Sequence, residues 1–204
     1  MRTGLVLIIS VVSLTGFGCA KKEGPSPTPK DAVRNFLEGM LELDKAKFLD
    51  SITGTDQELK AASVYIDYLV TVKHFKQAVI DKYGISGWAH FENQGGAKLS
   101  VNMTDNRDKL DSMKVVIDGD KATCTMPGEA RAVNLLRKNG VWYVNVSDIV
   151  MTGGMDLDKF IGMWTKMSKL IKDKQQRIGK PNVTAVSLDM ELGKGIMQIM
   201  MQNH

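Results

Sequence analysis

The sequence predicts an α+β fold: N-terminal helices packed on a curved antiparallel sheet, with additional C-terminal helices. Three observations carry this. Apolar residues recur every three or four positions from about residue 32 to residue 79, which is one face of helix after helix. From residue 99 to residue 146 the period drops to two and is punctuated by Asp118-Gly119 and Asn139-Gly140. From residue 157 onward helical spacing returns. Helices and strands segregated into blocks favour an antiparallel sheet over alternating βαβ units.

The elements follow in order. Thr28 is placed to cap the first helix, with Pro29 at its first position and Asp31 three residues after the cap. Ala32, Val33, Phe36, Leu37, Met40 and Leu41 form its apolar face. Asp44 can cap a second, short helix carrying Ala46, Leu49 and Ile52. Thr55 and Glu58 make a capping box for a long helix that packs Leu59, Ala62, Ile66, Leu69, Val70 and Val79. That helix should end near Tyr83, with Gly84 supplying a left-handed residue. Strands are expected at 99–103 and on both sides of the Asp118-Gly119-Asp120 and Asn139-Gly140 turns. Cys124 falls on the apolar side of its strand with Ala122 and Met126. A helix from Asp156 carries Leu157, Phe160, Ile161, Trp164, Met167 and Ile171, and Gly179 and Pro181 stop it. A last helix is expected from about Asp189, with Leu192, Ile196, Ile199 and Met200.

The start of the chain has the secretory pattern. Arg2 precedes an apolar run over 5–12, and small residues follow at Gly16, Gly18 and Ala20. The run is shorter than the ~20 residues that a spanning helix needs. The stretch before Cys19 resembles the lipobox of bacterial lipoproteins, in which a small residue, here Gly18, precedes the cysteine to be acylated. Gly16 and Phe17 depart from that pattern, and a small-x-small site for ordinary signal peptidase competes with it. The polar, Pro-rich residues 20–30 read as a tether. This divides the chain into a signal peptide (1–18), an anchor cysteine and tether (19–29), an α+β domain (30–150) and a helical extension (151–204). The expected location is the cell envelope, membrane-anchored through a lipid on Cys19, with a periplasmic or secreted protein as the alternative.

The helices that contain "DAVRNFLEGMLELDKAKFLDSI", with "VVIDGDKATCTM" and "LLRKNGVWYVNV" after them, resemble the nuclear transport factor 2-like cone, in particular its small bacterial lipoprotein branch. The likeness covers residues 31–146. It implies helices seated on the concave side of a curved sheet. Some members are enzymes that use cavity Asp, His or Tyr side chains, but no catalytic motif here matches position by position.

Composition and motifs exclude several chemistries. The 27 basic and 23 acidic residues are interspersed, giving a net charge of +4 without a basic stripe, so no nucleic-acid partner is expected. His74, His90 and His204 have no metal-binding spacing, and "DNRDKLD" lacks the central Gly and closing Glu of a calcium loop. No cofactor is called for. A general acid–base site needs a carboxylate or imidazole in an apolar cavity. The weak cavity candidates are Asp67, within "VYIDYL", and His90, beside Trp88 and Phe91; Asp67 facing solvent and His90 packing in a loop are the simpler readings.

The methionines Met155, Met163, Met167, Met190, Met197, Met200 and Met201 either fill the core or make an adaptable contact surface. Two functional readings follow. One is a non-enzymatic envelope protein that binds or scaffolds, through a protein partner or a homodimer at the Met-rich C-terminal helices. The alternative is a small-molecule-binding cone, an acid–base enzyme at its extreme, lined by Tyr65, Tyr68, Trp88 and Trp142.

Overall fold

The structure is a computed structural model that describes residues 26–94, 97, 99, 105–129, 131–147 and 156–202. The leader, Cys19, the tether up to residue 25, most of the expected strand at 99–103, and Met155 lie outside the described residues. The class is α+β. The described helices are α1 (Pro29–Glu42), α2 (Lys45–Asp50), α3 (Asp56–Ala89), α4 (Leu157–Gln175) and α5 (Ala185–Met201). The strands are β1 (Ile52–Thr53), β2 (Lys114–Asp118), β3 (Lys121–Thr125), β4 (Val133–Lys138) and β5 (Val141–Asn145).

The expected caps are in place. Asp31 N donates to Thr28 Oγ1 at 3.2 Å, with Pro29 at the first position of α1. Lys47 N donates to Asp44 Oδ1 at 3.0 Å at the start of α2. Thr55 and Glu58 close the capping box of α3: Thr55 N donates to Glu58 Oε2 at 2.7 Å, and Glu58 N to Thr55 Oγ1 at 3.3 Å. Each satisfies a backbone donor that the first helical turn leaves without a partner. Gly84 breaks α3 with φ 76° and ψ 177°, so the straight rod ends at Tyr83 and a short helical turn continues in a new direction. A side chain there would strain the backbone.

The sheet order is β1-β5-β4-β3-β2. Strands β2 to β5 form the expected antiparallel meander. The Asn139-Gly140 turn has positive φ at both residues, as a two-residue type I′ hairpin requires. One strand was not legible: Ile52–Thr53 pairs in parallel with Val144–Asn145. The sequence placed Ile52 on α2, but α2 ends at Asp50 and Ser51 caps it. Two residues carry no periodicity, so only the tertiary pairing defines β1.

The register puts Ile52, Val144, Leu135 and Ala122 on one face, with Cys124 beside them. All are buried. Helix α1 covers β5 and β3, supplying Ala32 and Val33. The other face carries Thr123 and Asn134, which hydrogen-bond at 3.2 Å, and is partly exposed. Antiparallel sheets commonly leave one face wet in this way. At the sheet edge the chain is already docked at Ser26: its carbonyl accepts from Trp142 N at 3.0 Å, and its hydroxyl from Asn35 Nδ2 at 3.0 Å.

The remaining helices form a second layer. Helix α4 lies along α3 and α5 packs against α4. Ile66, Leu69, Val72, Val79, Met167, Ile171, Leu188 and Leu192 are buried, in a cluster continuous with the core under the sheet. Tyr83 ties the α4–α5 turn to α3: its Oη accepts from Gly179 N at 3.2 Å and donates to Val183 O at 3.0 Å. Asp156 caps α4 as expected. Helix α5 starts four residues earlier than the sequence reading, at Ala185, where Thr184 and Ser187 form a capping box. Asp189 is therefore inside the helix and buried, and it accepts from Ala97 N at 3.3 Å. Among the described residues, no helix is long and apolar enough to cross a membrane.

Candidate functional site

Asp67 lies on α3, one residue past the inward-facing Ile66, which turns it to solvent. Its Oδ2 accepts from Lys45 Nζ at 2.7 Å, and both side chains are two-fifths or more exposed. An exposed pair of this kind contributes about 0–1 kcal/mol. Asp67 also borders an open groove of about 550 Å³ between α3 and α4, with Val64, Thr165, Ser168, Lys169 and Lys172. The groove mixes both charge signs and does not desolvate the carboxylate. It is open and bordered mostly by polar and charged side chains, unlike the enclosed apolar cavity that an acid–base site needs.

His90 lies past the far end of α3, half-buried in the turn that follows the Gly84 break. Its neighbours Trp88 and Phe91 are buried and stack with centroids 5.5 Å apart, and Phe75 meets both rings edge-on. Lys76 sits over the Trp88 ring at 5.3 Å and pairs with Glu92 at 3.4 Å. The turn is thus held by its aromatic anchors. From Asp67 to Gly84 alone the helix runs about 25 Å at 1.5 Å per residue. The two candidates are not brought together, and they form no acid–base pair.

The aromatics expected to line one cavity are divided among three places. Tyr65 and Tyr68 pack with Phe160 and Trp164 between α3 and α4, the Tyr68 and Trp164 centroids lying 4.4 Å apart. Burial raises the Tyr65 phenol, and burial with the neighbouring Tyr65 raises that of Tyr68 to about 12, so both stay protonated. Trp88 belongs to the Phe75–Phe91 cluster. Trp142 is buried on the sheet beneath the Arg137 guanidinium, 5.3 Å from the ring centre. Cys124 is fully buried, and burial pushes its thiol up to about 11. A thiol held protonated there is not a nucleophile at neutral pH.

The methionines divide as well. Met167 is buried and Met163 partly buried in α4, where they fill the core. Met190, Met197, Met200 and Met201 are 55%, 63%, 48% and 65% exposed, and Val186 is 47% exposed. At 100° per residue these five side chains and Gly193 occupy an arc of about 100° on α5. The opposite face of α5 is pinned. Gly195 lies so close to Leu170 that an added Cβ would fall 2.6 Å from Leu170 Cδ2. Glu191 accepts from Lys174 Nζ at 2.6 Å and also from Arg177. The exposed strip is therefore the outward side of a rigidly seated helix. Helical periodicity alone could not assign it, since the same apolar pattern serves a face turned inward or outward.

Among the described residues, no group of three or more His, Cys, Asp or Glu side chains is arranged to hold a metal ion. Comparisons with protein-family models, curated proteins and solved structures find no match.

Proposed function

We propose that the protein is an exported envelope lipoprotein, anchored through Cys19, whose folded part is a binding or scaffold module rather than an enzyme. The observation that carries the binding role is the apolar strip of α5. Val186, Met190, Met197, Met200 and Met201 are exposed along one arc of the helix, and exposed apolar surface gathered on one face marks contact surfaces. Flexible thioethers suit such a surface because they adapt to what they meet.

Support for the anchor comes from the leader, from Gly18 before Cys19 and from the Pro-rich stretch that runs up to the docked Ser26. Support for the cone resemblance comes from the β2–β5 meander with α1 on one face. The inner face is filled by the protein's own side chains, with Ala122, Cys124, Leu135 and Val144 all buried, which weighs against a ligand-binding interior.

Intact-mass analysis of the membrane fraction tests the anchor. A diacylglyceryl adduct on an N-terminal Cys19 is expected, and Cys19→Ala should move the protein into the soluble fraction. A lipid-free N-terminus at Ala20 or Lys21 would refute the anchor. The binding role is tested by a photo-crosslinking residue at position 197 of the full chain in cells. Discrete adducts are expected there and not at the exposed position 74, and their absence would refute it.

A further inference from the structure

We infer that the occupant of the α5 strip is a second copy of this chain, lying antiparallel about a two-fold axis at Gly193–Lys194. The inference rests on the binding role proposed above and names its partner. An isologous interface requires a patch that complements itself, so that residue i meets residue j while j meets i. Four of the strip's five side chains have that property, while Met200 falls opposite Ser187, off the strip. Val186 and Met201 are equidistant from the midpoint between Gly193 and Lys194, and so are Met190 and Met197. A two-fold axis perpendicular to α5 and tangent to its exposed face at that midpoint lays Val186 on the other copy's Met201 and Met190 on its Met197. Gly193, beside the axis, is partly buried and carries no side chain, so it adds no bulk to the contact.

Size and composition point the same way. Five side chains, each about half exposed, offer on the order of 500 Å² per copy. Doubled, that reaches the ~1,000 Å² at which a specific but weak interface begins. A lipid surface fits less well. Helices that lie in a membrane interface are rich in Lys and Arg on the polar face, with Trp, Phe or Leu opposite. Helix α5 has one basic residue, Lys194, and its exposed strip has no aromatic or Leu. The two-fold arrangement also sets the two Lys194 ammoniums on the same rim of the interface, so association should strengthen as salt screens them.

The test uses the full chain in the membranes of cells that express it. Met190→Cys and Met197→Cys, both at exposed positions, are made separately, given different tags and co-expressed. Under mild oxidation the Met190→Cys chain should couple to the Met197→Cys chain at least tenfold more than either couples to itself. The chain without added cysteines is the control, and the buried Cys124 should not contribute. Raising salt from low to physiological should increase the yield. Preferential coupling of Met190→Cys with itself would mean a parallel pairing and overturn the arrangement. Adducts from position 197 to another protein, with no coupling between copies, would overturn the second copy as occupant while leaving the binding role intact. Neither kind of adduct would end both.

Discussion

Three glycines in helices meet three different surroundings, and the same substitution should therefore have three different effects. In α1, a Cβ at Gly39 would fall 2.6 Å from Phe48 N and 2.7 Å from Phe48 Cα. Both are backbone atoms of α2, so they can retreat only if α2 moves as a body. Phe48 cannot move freely, because it is 1% exposed and packs at a tilt against Phe36, with ring centroids 5.7 Å apart. Restoring ordinary contact near 3.4–4 Å requires a shift of roughly 1 Å at a closely packed crossing, and overpacking of this kind costs about 1–3 kcal/mol or more. Alanine also returns about 1 kcal/mol of helix propensity. Gly39→Ala should therefore be destabilising by up to about 2 kcal/mol net. In α4, Gly162 has nothing within 4 Å of its Cβ position, so Gly162→Ala should be stabilising by about 0.5–1 kcal/mol. Gly195 in α5 lies between these cases. Its clash is with Leu170 Cδ2 at 2.6 Å, the end of a flexible side chain, and a rotamer adjustment of about 0.5–1.5 kcal/mol roughly cancels the propensity gain. The assay is urea denaturation of the three variants beside the parent, comparing midpoints at unchanged slope. A Gly39→Ala protein as stable as Gly162→Ala would refute the close α1–α2 crossing and the reasoning built on it.

Further outcomes follow from the caps, the buried thiol and the groove. Thr55→Ala removes the side-chain acceptor at the start of α3 and should cost about 1 kcal/mol in the same denaturation assay. The backbone N–H of Thr55 holds the Glu58 carboxyl below its ordinary value of 4.5. A depressed folded-state value means that Glu58 stabilises the fold at neutral pH, and this contribution is lost as pH falls through 4.5 and below. Glu58→Gln should flatten the acid limb of a stability–pH curve. The Cys124 thiol titrates near 9 when unfolded and about 11 when folded, so its contribution is complete below pH 9 and is lost as pH rises from 9 to 11. A thiol reagent at pH 8 should leave Cys124 unmodified in the native protein and label it fully in urea. Asp67→Asn should change stability by no more than about 1 kcal/mol in urea, because the Lys45 pair is exposed; a loss above about 2 kcal/mol would mean that the carboxylate is structural.

Much of the fold was legible because it is written in local chemistry. Thr28-Pro29, Asp44, the Thr55–Glu58 box, Gly84 and Asn139-Gly140 each act within four residues of themselves, and each does what its residue types dictate. The start of α5 was missed although Thr184 and Ser187 carry the same signal, because serine is a weaker reciprocal partner than the expected Glu or Gln. The two-residue strand β1 was missed because its partner is some ninety residues away in sequence. The candidate sites divide similarly. Asp67 could have been assigned to solvent from its position beside Ile66 on the helix. The break at Gly84 was legible, but the packing of Trp88 and Phe91 around His90 depends on Phe75 and was not. The strip on α5 was visible as a pattern, and only the structure tells which side of the helix its neighbours leave open.

The docking of Ser26 on the sheet edge has a consequence for reach. With a lipid on Cys19, only residues 19–25 lie between the bilayer and a point fixed to Trp142 and Asn35. Seven residues extend at most about 25 Å at 3.3–3.6 Å each. The domain would then ride within a layer barely thicker than itself. Two copies confined to such a layer search an area rather than a volume, and a contact too weak to persist in dilute solution gains from that confinement.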